Sequence, residues 1–267
     1  MRYERRGMVR MFCGLLLLCF WGGESPAGSA TDMPEGARRL SQAYPEAELR
    51  FETDATGAYL VGGETRFLYS PLGGCPAAGA NAPADPPLCA TLSQAYPAGP
   101  EGRYPEKSFE PGRVRNEAFL KMLYGDDAAA VDAQCVEVPF LGETVRFSSR
   151  HGAAAALGRV AEKLERVLGE HPEWKIYIHP VPGGFFWRTI SRTHRLSAHS
   201  FGIAIDLNPG KGPYWQWQSK AAAEEARRDY PQPIVAAFES EGFIWGGKWH
   251  AYDFMHFEYR PELFERQ

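Results

Sequence analysis

The sequence carries no large charge imbalance, no thiolate cluster and no apolar run long enough to cross a bilayer, and each absence excludes something. Twenty-nine Lys and Arg stand against 33 Asp and Glu, a formal net charge of -4, so nothing in the electrostatics argues for a nucleic-acid partner. None of the 5 cysteines forms a Cys-x-x-Cys pair, which removes the usual signature of a thiolate zinc site. Ser197 has no Gly-x-Ser-x-Gly context, which argues against a nucleophilic serine there. The apolar stretch from Met11 to Trp21 falls short of the roughly 20 residues that a spanning helix needs. It follows Arg2, Arg5, Arg6 and Arg10 and precedes a Gly-, Ser-, Pro- and Ala-rich zone ending near Ala30. That order is the pattern of a secretory signal over residues 1–30. Export to the periplasm or cell envelope is therefore expected, with no stable membrane insertion after cleavage.

What remains is ordinary globular composition, 44% hydrophobic and 23% charged, enough for one good core and a smaller second unit. Removal of the signal leaves Cys75, Cys89 and Cys135. In an oxidising compartment one disulfide is expected. Cys75–Cys89 would close a short Pro-, Ala- and Gly-rich loop, but all three pairings stay open. Residues 31–135 read as a loop-rich N-terminal lobe or extension, with strand-like runs at Ala58–Val61 and Thr65–Tyr69.

Helical spacing of Val114, Ala118, Phe119, Met122 and Leu123 predicts a helix over 113–124. In residues 136–267 the pattern predicts a hairpin around Leu141-Gly142-Glu143 and an amphipathic helix from Gly152 to Gly169. A strand is expected over Trp174–Val181, with Ile176 and Ile178 facing one way. Two short helices (Ala221–Arg228 and Pro233–Glu241) and two strands (Phe243–Trp245 and Phe254–Tyr259) complete the order. Without a regular βαβ rhythm, this is an α+β class with a mainly antiparallel sheet and flanking helices.

The chemistry gathers around Ser197-Ala198-His199-Ser200-Phe201-Gly202-Ile203-Ala204-Ile205-Asp206. In a strand, Ile203, Ile205 and Leu207 share a core face while Ala204, Asp206 and Asn208 share the other. Gly202 permits a bend that returns His199 to the side of Asp206. His256, in the last expected strand, reaches the same point if the two strands pair. A His199, Asp206, His256 set suits Zn2+ and leaves a fourth position for water.

Asp253 is the expected general base. Positions 253 and 256 point to opposite faces of an unbroken strand, so Asp253 must precede the regular strand or sit on a bulge. Glu258 shares the face of His256 and is either a competing acid or the group that orients that imidazole. Arg188 is the first choice to meet oxyanion or carboxylate charge, while Arg192 and Arg195 have an equal surface reading. Trp249 and His250, on the lip after Gly246-Gly247-Lys248, and Ser197 are the expected substrate contacts. Ser197 is also suited to capping the turn it opens.

Ser197-x-His199-x-x-Gly202-x-Ala204-x-Asp206 followed by Asp253-x-x-His256 resembles the zinc D-alanyl-D-alanine carboxypeptidase family. That family includes the vancomycin-resistance D,D-peptidases and the L-alanyl-D-glutamate endopeptidases. The run Gly242–Trp249 is similar to the endopeptidase branch and its near carboxypeptidase relatives. The resemblance covers roughly residues 150–260. It implies a hedgehog/D,D-peptidase-like fold, zinc held by His199, Asp206 and His256, Asp253 as base, Arg188 as the upstream arginine, and a peptidoglycan peptide substrate. Phe185-Phe186-Trp187-Arg188 departs from the family's Gly-Tyr-Arg-Ser pattern at that arginine. Three outcomes follow from it: D-Ala-D-Ala removal, L-Ala-D-Glu cleavage, or a non-catalytic zinc-dependent wall-binding module.

Overall fold

The N-terminal segment is more regular than its Pro and Gly content suggests. A nine-residue helix, α1 (Glu35–Ala43), escapes the sequence pattern because only Ala37 and Leu40 form its buried stripe. Strands β1 (Arg50–Asp54), β2 (Gly57–Gly62) and β3 (Thr65–Pro71) make an antiparallel meander. Its register lines Phe51, Leu60 and Phe67 side by side on the buried face. These coordinates are a computed structural model that describes residues 1, 33–77, 79, 83–100, 108–191, 193–216 and 219–264. The expected signal segment beyond residue 1, and Arg192, lie outside the described residues.

Cys75 and Cys89 are joined, and Cys135 is a free thiol. The bridge anchors the loop to a single turn, α2 (Leu88–Thr91). Helix α3 (Glu117–Tyr124) starts four residues later than the spacing predicts. Asn116 Oδ1 accepts the Phe119 amide at 2.7 Å and fixes the start there. Residues ahead of the cap are thereby released to run along the site described below. A one-turn helix, α4 (Ala128–Asp132), follows.

Strands β4 (Cys135–Phe140) and β5 (Glu143–Ser148) form the expected hairpin. Its two-residue turn, Leu141–Gly142, has φ of 53° and 90°, positive at both positions as the natural strand twist requires. Helix α5 (Ala153–Glu170) is the amphipathic helix that the sequence indicates, burying Ala156, Val160, Leu164 and Leu168.

The expected strand over Trp174–Val181 does not form. Pro172 starts a 3-10 turn that runs into a short helix, α6 (Lys175–Ile178). Ile178 is fully buried while Ile176 is 50% exposed, so the apparent alternation was never a face.

The last third supplies β6 (Ala204–Asp206), α7 (Lys220–Asp229), α8 (Gln232–Glu239), β7 (Phe243–Trp245) and β8 (His256–Tyr259). The sheet order is β6-β8-β7, antiparallel throughout. The described elements are thus helices around small antiparallel sheets, an α+β architecture. Helix α8 packs on this sheet, with Phe238 stacked on Phe257 at 4.0 Å, and α5 packs between α8 and the β4–β5 hairpin. Apolar side chains from Ala37 to Leu263 form one continuous core. Buried hydrogen bonds join distant parts of it: Tyr44 donates to Glu262 and Tyr96 to Glu239, each at 2.6 Å. Among the described residues no helix is long and apolar enough to cross a membrane.

Candidate metal centre

Three local structures bring His199, Asp206 and His256 together. Ser197 opens a 3-10 turn, Ala198–Phe201, with its hydroxyl accepting the His199 amide at 3.4 Å. Gly202 closes that turn at φ 65°, where an added Cβ would lie 2.9 Å from Cys135 Sγ. The chain then enters β6, and Asp206 pairs in register with His256 of β8. The bend at Gly202 and the strand pairing are those that the residues require for the two histidines to meet.

Each imidazole is aimed. His199 Nδ1 faces the Gly184 carbonyl at 2.7 Å. A carbonyl only accepts, so Nδ1 carries the proton and Nε2 presents its lone pair. That Nε2 is buried without a hydrogen bond and lies 3.2 Å from Asp206 Oδ1. His256 Nδ1 lies 3.1 Å from the same oxygen, and its Nε2 lies 3.3 Å from Glu258 Oε2.

The three ligand atoms fall within 4.8 Å of one another. Ligands on a tetrahedron around an ion at about 2.0–2.2 Å would stand roughly 3.3–3.6 Å apart. The observed 3.1 and 3.2 Å separations are close to that. With an orphaned buried nitrogen and a mixed nitrogen and oxygen donor set, the residues fit a divalent metal ion. Burial raises the Asp206 carboxyl, but the two neighbouring imidazoles outweigh it and hold the group well below the usual carboxylate range. Burial lowers the His256 imidazole, and the Asp206 and Glu258 carboxylates outweigh that and push it up to about 9.

Asp253 stands clear of strand alternation. It precedes β8, pairs locally with Tyr214, and is followed by a turn whose His256 amide donates to the Asp253 carbonyl at 3.3 Å. Its Oδ1 is buried without a partner. Burial pushes the carboxyl up to about 6, with the negative Asp206 adding to the rise and His256 opposing it.

Asp253, Arg188, Ser197 and Trp249 line one cleft with Asp206 and His256. Arg188 is fixed by its main chain, whose carbonyl accepts from Ser197 N at 3.0 Å and from Ser200 Oγ at 2.8 Å. His250 does not line this cleft; its amide donates to the Phe109 carbonyl at 2.9 Å.

The cleft also has a wall that the sequence reading missed. Arg113 and Arg115 line it, and the segment 109–117 is sewn to both sides of the site. Trp249 Nε1 donates to Pro111 O at 2.8 Å, and Arg113 lies over the Trp249 ring at 4.6 Å. Arg195 donates to Arg113 O at 2.6 Å, so it is a tie rather than a surface residue. The Leu196 amide donates to Glu117 at 2.8 Å. A helix over 113–124 would have pointed Arg113 and Arg115 elsewhere, and no local pattern links them to the motif.

Residues 191–259 match the family model of D-alanyl-D-alanine carboxypeptidase. The match takes in His199, Asp206, Asp253 and His256, and leaves Arg113, Arg115 and Arg188 outside the matched segment. No solved structure matches the chain.

Proposed function

We propose that the chain is an exported, zinc-dependent D-alanyl-D-alanine carboxypeptidase acting on the stem peptides of peptidoglycan in the cell envelope. The observation that carries this reading is the convergence of His199 Nε2, Asp206 Oδ1 and His256 Nδ1 in a cleft that also holds Asp253, whose Oδ1 is buried without a partner. Zinc held by those three atoms would supply Lewis acidity toward a carbonyl oxygen and toward water.

The protein's own groups do the rest. The Gly184 carbonyl holds the His199 ring, and Glu258 holds the His256 ring. Asp253, its carboxyl raised by burial, takes a proton from water as the water oxygen bonds to the peptide carbon. It returns that proton to the departing nitrogen as the C–N bond breaks. Arg188 offers a forked donor to the carboxylate of the substrate or to developing negative charge. Trp249 forms an apolar side of the cleft.

Metal analysis of the purified protein is expected to give about one zinc per chain, and digestion of muropeptides to release D-alanine. Release of fragments cut between L-Ala and D-Glu would reassign the bond, and zinc without any hydrolysis would support a wall-binding module instead. Asp253→Asn is expected to lower kcat by about 100- to 10,000-fold, the usual weight of a general acid–base group, with zinc content unchanged. Full activity in that variant would remove Asp253 from the mechanism.

A further inference from the structure

We propose that Arg115, from the segment ahead of α3, is a positioning residue for the metal ligand His256, acting through Glu258; this rests on the zinc reading above. Glu258 is fully buried in the middle of β8, and its two oxygens have different neighbours. Oε2 faces His256 Nε2 at 3.3 Å and accepts from Arg115 Nη1 at 2.9 Å. Oε1 accepts from Arg115 Nη1 at 3.1 Å and from Arg260 Nη1 at 3.0 Å. Arg260 is shared further, with Glu262 at 2.5 Å and the Gly112 carbonyl at 2.9 Å. Arg115 is thus the guanidinium that touches the oxygen turned toward His256.

The arrangement has a direct consequence for the ligand. A metal-bound imidazole commonly donates its other N–H to a fixed acceptor, and that acceptor sets the ring's orientation. Glu258 is that acceptor. Buried without one of its cations, a carboxylate rotates toward whatever donor remains. With Arg115 removed, the remaining guanidinium pulls from Oε1, on the side away from the ring. His256 would then lose the fixed partner that keeps Nδ1 directed at Asp206. Arg115 lies 143 positions before Glu258 and outside the matched segment, so the chain ahead of that segment completes the site.

A purely structural ion pair would change stability and leave metal affinity alone, which makes the two roles separable. Zinc affinity of the full chain is measured by chelator competition in wild type, Arg115→Met, Arg115→Lys and Val160→Ala. The last removes core packing in α5, away from Glu258, as a stability control. Arg115→Met is expected to bind zinc about 10- to 100-fold more weakly, the range usual for such outer partners. The visible spectrum of its cobalt-loaded form is expected to shift. Arg115→Lys is expected to fall between, since an ammonium keeps the charge but is more strongly hydrated than a guanidinium, and it carries the test if Arg115→Met does not fold. Val160→Ala is expected to melt earlier with affinity unchanged. Wild-type affinity within about twofold in both Arg115 variants would overturn the inference alone. A wild type that takes up no zinc would overturn the metal reading and this inference with it.

Discussion

Gly246 has no room for a side chain. A Cβ there would lie 2.5 Å from the Asp253 carbonyl and 3.0 Å from the Trp249 ring, and the Gly246 carbonyl accepts both the Asp253 and Trp249 amides, at 3.0 and 3.2 Å. Gly246→Ala must therefore displace the backbone that carries Asp253. Because small misplacements of reacting groups are costly, kcat is expected to fall by about 10- to 100-fold in a protein whose circular dichroism is unchanged. Unaltered kcat would show that Asp253 is not held by this contact. At this scale the convergence of His199, Asp206 and His256 was legible in the sequence, since they sit at spacings that a bend and one strand pairing bring together. The escape of Asp253 from strand alternation was legible only as a requirement. Arg113 and Arg115 were not legible, because their partners are fixed by chain packing rather than by neighbours in sequence.

Elements that bury a clear stripe are the ones the sequence foretold. Helix α5 is the best case, and its outer face contributes a second kind of hold. Arg159 and Lys163 reach Glu241, just past α8, at 2.6 and 2.5 Å. Burial raises the Glu241 carboxyl, but hydrogen bonds from Lys163 and Arg159 outweigh it and leave the group below the ordinary carboxylate value. The stabilisation is therefore present above the unfolded value, about 4.3, and is lost as the pH falls through the lower folded value. Glu241→Gln is expected to cost about 0.5–1 kcal/mol at pH 7, the usual worth of such pairs near the surface. Denaturant melts should show that gap closing as the pH drops below about 4. A gap that shows no narrowing between pH 7 and pH 3 would mean that Glu241 acts through packing. The α6 segment shows the opposite situation. Lys175-Ile176-Tyr177-Ile178 satisfies a strand pattern and a helical turn equally well, and Pro172 decides for the turn.

Across the whole molecule, the ties that matter span the chain: Tyr44 to Glu262 is a separation of 218 positions, which no local pattern reports. The β6-β8-β7 order belongs to the same class, and it bears on timing. β6 and β7 both precede in sequence the strand that lies between them. Until β8 arrives, each has an open edge, and Asp206 has no histidine opposite it. Non-local pairing of this kind forms late and slowly. On refolding from denaturant, zinc uptake and the burial of Trp245 and Trp249 are expected to recover with one rate constant, read by a metal indicator and by fluorescence. Uptake that runs ahead of fluorescence would show a site formed before the sheet. A chain that crosses a membrane unfolded would accordingly carry no ion with it, and would draw its metal from the supply on the far side.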